Sequence, residues 1–375
     1  MEKELSRIGG DARFVVKESK TFFLPAAPLR GFEKMVEGKS PLFVVEAVMR
    51  ICGICHAAHA IASCEAFEHA FGIFPPRNGI MLREAIGLLN RIQSHFLHNI
   101  MILPDLLNEK YVDDVMSGTL DALEKVNKVL TDLAGAPTHP NRLVIGGIAK
   151  ALSEKILEKS IEELKKAEEI YNEIKKIEVN EFFWSKDALL AKKIDVDAKY
   201  LASHLFYGDR YAIDLEKIEV IPYSEIHEEK DIAKKSTSML ALYDGEYVEV
   251  GPRARLKSYR NFSFHGMIGL QIARLEEITL AFKRIEEILK EIDINQPVKT
   301  EGFMFRKGKG VGVYEAPRGL LIHRVSLNEE GRVENYSIIV PTMFNIPLME
   351  KTNSEMGIRL YDPCIPCATH CVEVI

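Results

Sequence analysis

Hydrophobic positions recur along this chain in two rhythms, one of three to four residues and one of two. The helical rhythm is longest over residues 80–102, where Ile80, Leu82, Ile86, Leu89, Ile92, Phe96 and Ile100 fall mostly on three- and four-residue steps. Residues 148–178 carry a cleaner amphipathic version, with Leu152, Ile156, Ile161, Leu164 and Ile170 among glutamates and lysines at pairing distance. That charge run reads as a solvated helix face rather than a docking surface. Helices are also predicted over 119–134, closed by Gly135 and Pro137, and over 264–292. Residues 44–72 contain few breakers and predict one buried helix, ended by Pro75-Pro76. The two-residue rhythm shows over 11–25, where Ala12, Phe14 and Val16 alternate with Arg13, Val15 and Lys17 as a strand or strand pair. Residues 238–250 alternate around Asp244-Gly245 and predict a hairpin. Two β-like runs, Val311–Tyr314 and Ser337–Val340, lie within 311–342, and residues 195–235 follow neither rhythm. No internal repeat or flexible linker is visible. The expected fold class is mainly α (α+β), with residues 1–375 forming a single domain.

Composition narrows the class. Hydrophobic residues make up 47% and charged residues 28%, which supplies a core and excludes global disorder. A net charge of −6 and no basic aromatic patch argue against a nucleic-acid partner. No apolar run reaches the ~18–20 residues of a membrane span, and Met-Glu-Lys-Glu-Leu-Ser-Arg opens into no signal-like apolar segment. A cytoplasmic protein is expected.

The cysteines change the picture most. Cys52, Cys55 and Cys64 lie near one end, and Cys364, Cys367 and Cys371 near the other. In a reducing compartment, clustered cysteines bind metal or do chemistry. Cys52-Gly53-Ile54-Cys55 and Cys364-Ile365-Pro366-Cys367 each present two sulfurs three residues apart, so four thiolates can grip a zinc, nickel or iron ion. A structural zinc site is the plain reading, but zinc ribbons hold their pairs ~15–20 residues apart, whereas roughly 300 separate these. A site joining both ends of the chain would be buried in the fold. Asp362 and Pro363 predict a helix start that favours the thiolate of Cys364, and Pro366 limits that helix to a short turn. Cys64 reads as a small buried residue, and Arg253 and Arg255 as structural.

Arg50-Ile51-Cys52-Gly53-Ile54-Cys55-His56-Ala57-Ala58-His59, together with Asp362-Pro363-Cys364-Ile365-Pro366-Cys367-Ala368-Thr369-His370, resembles the nickel-binding signatures of the [NiFe] hydrogenase large (alpha) subunit. The resemblance is greatest to the cytoplasmic archaeal type that includes the deazaflavin-coenzyme-reducing hydrogenase. Arg30-Gly31-Phe32-Glu33, Leu143–Gly147, Tyr243-Asp244-Gly245, Gly251–Arg255, Glu315–Gly319 and Pro341-Thr342 match in order, so it spans essentially the whole chain. It implies long central helices with peripheral short β-sheets. It implies a nickel–iron centre in which Cys52, Cys55, Cys364 and Cys367 ligate nickel, while Cys55 and Cys367 also bridge to an iron carrying carbon monoxide and cyanide. It further implies a magnesium held by Glu33 and His370, and reversible heterolytic cleavage of dihydrogen. Cys364 would be the base, Arg318 the guanidinium beside the open metal position, and His59 a histidine supporting the ligands. Electrons would pass to an iron–sulfur small subunit, then through a flavoprotein subunit to a deazaflavin or similar acceptor, because two remaining cysteines are too few for a cluster.

Two features depart from the family pattern. The usual Arg-Ile-Glu-Gly-His is Arg7-Ile8-Gly9-Gly10-Asp11 here, so the proton-relaying glutamate is replaced by Gly9. Glu65, Asp11 or ordered water would have to take its place, or the chain is a catalytically impaired relative. Only Cys371–Ile375 follow the final histidine, an extension shorter than that of many family precursors.

Overall fold

The computed structural model describes residues 2–25 and 31–369; Arg30, His370 and the tail Cys371–Ile375 lie outside the described residues. The predicted strand pair over 11–25 is two strands of a three-stranded antiparallel sheet, β1 (Glu2–Leu5), β2 (Ala12–Lys17) and β3 (Lys20–Pro25), with Phe14 opposite Phe23. Five helices follow: α1 (Phe32–Met35), α2 (Pro41–Val48), α3 (His56–Phe71), α4 (Arg77–Leu106) and α5 (Glu109–Ala134).

The single helix predicted over 44–72 is broken at 49–55 into α2 and α3, so the first cysteine pair sits in the break. The apolar run Val44–Met49 continues without a breaker, which is why no interruption was expected. The thiol supplies the reason: Cys52 Sγ accepts the backbone N–H groups of Ile54 (3.3 Å) and Cys55 (3.1 Å), donors that an uninterrupted helix would send to carbonyls. The 119–134 helix is a 26-residue α5 starting ten residues earlier than predicted, and Gly118 within it leaves room for Ile174 of the next long helix.

The middle of the chain sets short pieces around two long helices, the sixth and the tenth: β4 (Leu143–Val144), β5 (Gly147–Ile148), α6 (Glu154–Glu178), α7 (Lys186–Ala191), β6 (Lys199–Tyr200), β7 (Ile218–Pro222), α8 (Lys230–Ala233), β8 (Met239–Tyr243), β9 (Val248–Glu249), α9 (Pro252–Tyr259) and α10 (Gly266–Glu291). The predicted 238–250 hairpin is only a turn. Asp244 and Gly245 take the positive φ values of a tight reversal (54° and 72°), but β8 pairs with β7 and β9 with β6. The chain ends with β10 (Gly308–Ala316), β11 (Gly319–Leu327), β12 (Val333–Ile339), α11 (Pro341–Lys351), α12 (Glu355–Tyr361) and α13 (Ile365–Ala368).

The fold is mainly helical α+β, as expected. α4 is buried on nearly every face between Met81 and Asn99 and packs against α3, α5 and α10. The β10–β11–β12 sheet lies directly on α3. Gly310 and Gly312 make this possible, since a Cβ there would lie 1.9 Å from the Ala66 carbonyl and 2.0 Å from that of Ala62. The two ends of the chain meet at a parallel bridge between Gly9 and Cys364, where Ile365 N–H donates to the Gly9 carbonyl at 2.8 Å.

Candidate metal centre

Three segments carry the centre. The first is the 49–55 loop, whose sulfurs Cys52 and Cys55 lie 2.8 Å apart. Asn90 of α4 ties this loop down by donating to the Ile54 carbonyl at 2.9 Å. The second is the C-terminal turn. Cys364 donates its N–H to Thr342 Oγ1 at 3.1 Å, and its sulfur is 3.1 Å from that of Cys367. Cys55 and Cys367 bring the pairs together at 3.2 Å, and the four sulfur positions all fall within 4.8 Å of one another. All four cysteines are buried, and none is in a disulfide. Four convergent buried sulfurs form a donor set for a soft or borderline metal.

Their protonation is shared unequally. Hydrogen bonding from Cys367 is the main cause holding the Cys364 thiol below its ordinary value. Burial, then the contact with Cys364, pushes Cys367 well up. Cys52 is lowered, because bonds from Cys364, Cys367 and Cys55 outweigh its burial, and Cys55 is raised, first by Cys364.

The third segment is the turn between β10 and β11. Ala316 pairs with Gly319, so Pro317 and Arg318 form a two-residue tip. Gly319 (φ 125°) and Gly251 (φ 113°) pack backbone to backbone behind it: a Cβ on Gly251 would lie 2.7 Å from the Arg318 carbonyl. The Arg318 guanidinium is fixed on two sides. Nε and Nη2 donate to the Asp362 carbonyl (2.6 Å) and carboxylate (2.8 Å), and Nη1 donates to Ser94 Oγ (3.0 Å). Burial raises the Asp362 pKa, but Arg318 and then His98 outweigh it and hold the carboxyl well below the usual range. Arg318, Cys364, Cys367, Leu321 and Pro341 line a mostly apolar cavity of about 10 Å³, at the lower limit for one water-sized molecule.

Asp362 is thus not the expected helix N-cap. It is the left-handed C-cap of α12 (φ 56°), and Cys364 is the N-cap of the four-residue α13. The guanidinium claims the carboxylate that would have capped.

A family model described as nickel-dependent hydrogenase matches residues 30–103 and 257–357. The coenzyme F420 hydrogenase subunit alpha of Methanothermobacter thermautotrophicus is 36% identical over 95% of this chain and 89% of that relative. The same subunit of Methanocaldococcus jannaschii is 34% identical, over 94% of this chain and 88% of its own length. The chain belongs to the nickel-dependent hydrogenase family. The oxidised Ni-Fe-Se hydrogenase of D. vulgaris Hildenborough superposes with a TM-score of 0.85 at 23% identity, covering 99% of both chains, so the hydrogenase large-subunit fold is shared as well. This is the catalytic subunit of an oxidoreductase, a hydrogenase.

Within that hydrogenase frame, the expected site residues are placed unevenly. Cys52, Cys55, Cys364, Cys367 and Arg318 converge. His59 points Nε2 at Cys367 Sγ from 3.4 Å. Glu33, on α1, accepts the Ile338 N–H at 2.6 Å, while its expected magnesium partner His370 lies outside the described residues. Gly9 lies beside Cys364, and a Cβ there would be 3.7 Å from Cys364 Cα. Neither candidate substitute has a described contact with Cys364. Asp11 is exposed, and Glu65 opens on a separate cavity with Tyr207 and Arg83, its pKa pushed up to about 7 by burial and then by Glu68. Cys64 is buried and held as a thiol, pushed up to about 12 by burial. Arg253 and Arg255 are structural, paired with Glu249, Glu277 and Glu315. Sequence reasoning missed Ser94, Thr342, His98 and His323. For His323 a signal existed: it shares the β11 face of Gly319 and Leu321, the face turned to the cysteines.

Proposed function

We propose that Cys52, Cys55, Cys364 and Cys367 hold nickel, with Cys55 and Cys367 also bridging to an iron that carries carbon monoxide and cyanide, and that the chain cleaves dihydrogen reversibly. Residues 1–375 act as one domain whose site is made by both ends. When bound, the nickel–iron pair supplies a soft, redox-active site that polarises dihydrogen. Cys364 Sγ accepts the proton, since it lines the small cavity beside Arg318. Arg318, held by Asp362 and Ser94, keeps a fixed positive edge on the small cavity without spending freedom at the moment of reaction. The apolar wall of that cavity, Leu321 and Pro341, keeps bulk water from the reacting gas. Glu33 and His370 hold magnesium.

The observation that carries this reading is the convergence of four buried sulfurs from opposite ends of a hydrogenase-family chain beside a buried, clamped guanidinium. Electrons leave toward a small subunit with iron–sulfur clusters, because Cys64 and Cys371 cannot supply a cluster. The 49–55 loop surfaces at Arg50 and Gly53 beside a groove lined by Leu42, Val45 and Met49, which favours exit there. The electrons then pass through a flavoprotein subunit to a deazaflavin or similar acceptor in the cytoplasm; the relatives' names, coenzyme F420 hydrogenase subunit alpha, support a coenzyme acceptor and further subunits. No described helix is long and apolar enough to cross a membrane.

Gly9 favours a second reading, a relative with impaired turnover. Hydrogen–deuterium exchange by the co-expressed complex separates the two. The first reading expects exchange that Cys364→Ser abolishes and Gly9→Glu leaves largely unchanged. Exchange absent in wild type and gained in Gly9→Glu establishes impairment.

A further inference from the structure

The contact between His59 and Cys367 is the visible end of a longer arrangement. His59 Nδ1 lies 3.0 Å from His323 Nε2. His323 Nδ1 lies 2.7 Å from the Tyr336 hydroxyl, which is 2.9 Å from Ser63 Oγ. Ser63 is one turn after His59 on α3, so the series leaves the helix, crosses β11 and β12, and returns to the same helix. All four residues are buried. The rings are also fixed by contact, His59 against His323 at 5.2 Å and His323 against Tyr336 at 5.6 Å in edge-on geometry.

We infer that His323 and Tyr336 are positioning residues that decide which nitrogen of His59 carries the hydrogen facing Cys367. The inference rests on the proposed function only in taking Cys367 as a metal-bound thiolate. A thiolate accepts hydrogen bonds and donates none, and a neutral imidazole has one N–H and one bare nitrogen. A bare nitrogen aimed at the sulfur would set two lone pairs against each other. The N–H reaches the sulfur when His59 Nδ1 is occupied by a donor, which His323 Nε2–H provides. His323 holds its own hydrogen at Nε2 when Nδ1 accepts from a hydroxyl, which Tyr336 provides. Burial keeps that phenol protonated. Both hydroxyl hydrogens rotate: Tyr336, placed to donate to Ser63 Oγ at 2.9 Å, donates to His323 instead when Ser63 turns its own hydrogen to Tyr336. The ring charge of His59 does not change along the series; only the position of its hydrogen does.

The consequence falls on the metal. A hydrogen bond to a ligating sulfur withdraws electron density and raises the reduction potential, and partners that orient ligands support metal affinity.

The test uses the full complex and three variants. Tyr336→Phe keeps the ring and removes the hydroxyl, His323→Leu removes the donor, and His323→Gln offers an amide N–H to His59. Ring-nitrogen NMR of zinc-loaded protein reads the tautomer directly. Wild type is expected to show His59 protonated at Nε2, and Tyr336→Phe a mixture. In the nickel-loaded complex, Tyr336→Phe and His323→Leu should shift the one-electron reduction equilibrium about tenfold, a fall of about 59 mV. Nickel retention against a chelator should drop roughly ten- to a hundredfold. His323→Gln should recover most of both. The inference is overturned if Tyr336→Phe leaves tautomer, potential and nickel retention at wild-type values, or if His323→Gln behaves like His323→Leu. If wild type holds zinc and no nickel, the proposed function fails, and the NMR comparison still decides the roles of His323 and Tyr336.

Discussion

The Cys52–Cys55 pair is held by its own neighbours in sequence, whereas the Cys364–Cys367 pair is held by residues from the rest of the chain. The first loop closes on itself: Ile54 and Cys55 donate their N–H groups to Cys52 Sγ, and His59 N–H returns to the Cys55 carbonyl at 3.2 Å. Among the described residues, Asn90 ties it down from a distance, donating to the Ile54 carbonyl. The second pair leans on Gly9 from the N-terminal end, Thr342 from α11 and Arg318 from the β10–β11 tip, with Arg274 of α10 donating to the Leu360 carbonyl at 2.9 Å just ahead of it. Equal spacing in sequence therefore hides unequal dependence on the fold. The first pair can take its shape early and locally. The second takes shape only when the long-range contacts are complete, so the metal site reports on finished folding.

The largest expected effect is on the sulfur that joins the pairs. Cys367→Ser should abolish nickel and iron loading, measured by elemental analysis of the purified complex, while leaving the circular dichroism of the long helices unchanged. Helices lost along with the metal would mean that the centre is needed for the fold as a whole.

Arg318→Lys comes next. It keeps the charge but not the fork that grips Asp362, and it should lower hydrogen–deuterium exchange about 10²–10³-fold with metal content retained. Full activity in that variant would reduce Arg318 to a structural ion pair.

Much of this contrast was legible in the residues, and part was not. The repeated two-cysteine spacing and the long period of α4, α6 and α10 announce themselves, because burial of one face imposes them. The break at 49–55 does not, since Val44–Met49 looks helical and the competing acceptor is a sulfur. Asp362 is misleading for a similar reason: its short carboxylate suits a helix N-cap, but a guanidinium 44 positions earlier takes it. His323 and Tyr336 act through β11 and β12, and nothing local to either residue names His59 as the partner.

Two glycines sharpen the comparison between the pairs. Gly9→Val would press a side chain against the Pro363 carbonyl, 3.2 Å from the Cβ position, and should lower stability by ~1–3 kcal/mol and loosen nickel retention. Gly53→Ala faces nothing within 4 Å and should change stability by less than ~0.5 kcal/mol. Denaturant titration of both variants checks this, and equal costs would contradict the difference in support.

The effect farthest from the centre concerns two buried carboxyls. Asp362 has Arg318 and is held low. Glu178 receives neutral amides, from Asn99 (3.3 and 3.2 Å) and Gln271, with no cation beside it among the described contacts, and is pushed up to about 8 by burial. A raised carboxyl pKa costs stability once the unfolded group ionises, so the penalty is absent below the ordinary value of 4.5 and grows until about 8. Glu178→Gln should therefore stabilise the protein by up to about 4 kcal/mol at pH 8 and by less than about 1 kcal/mol at pH 5, read from urea midpoints. A gain independent of pH would remove ionisation as the cause.

The most direct test of the joined-ends centre is the metal content of the intact complex, prepared anaerobically from cells supplied with nickel and zinc. One nickel and one iron per chain are predicted. Zinc alone, or nickel that persists when Cys364 and Cys367 are both replaced by serine, would contradict a centre held by both ends of the chain.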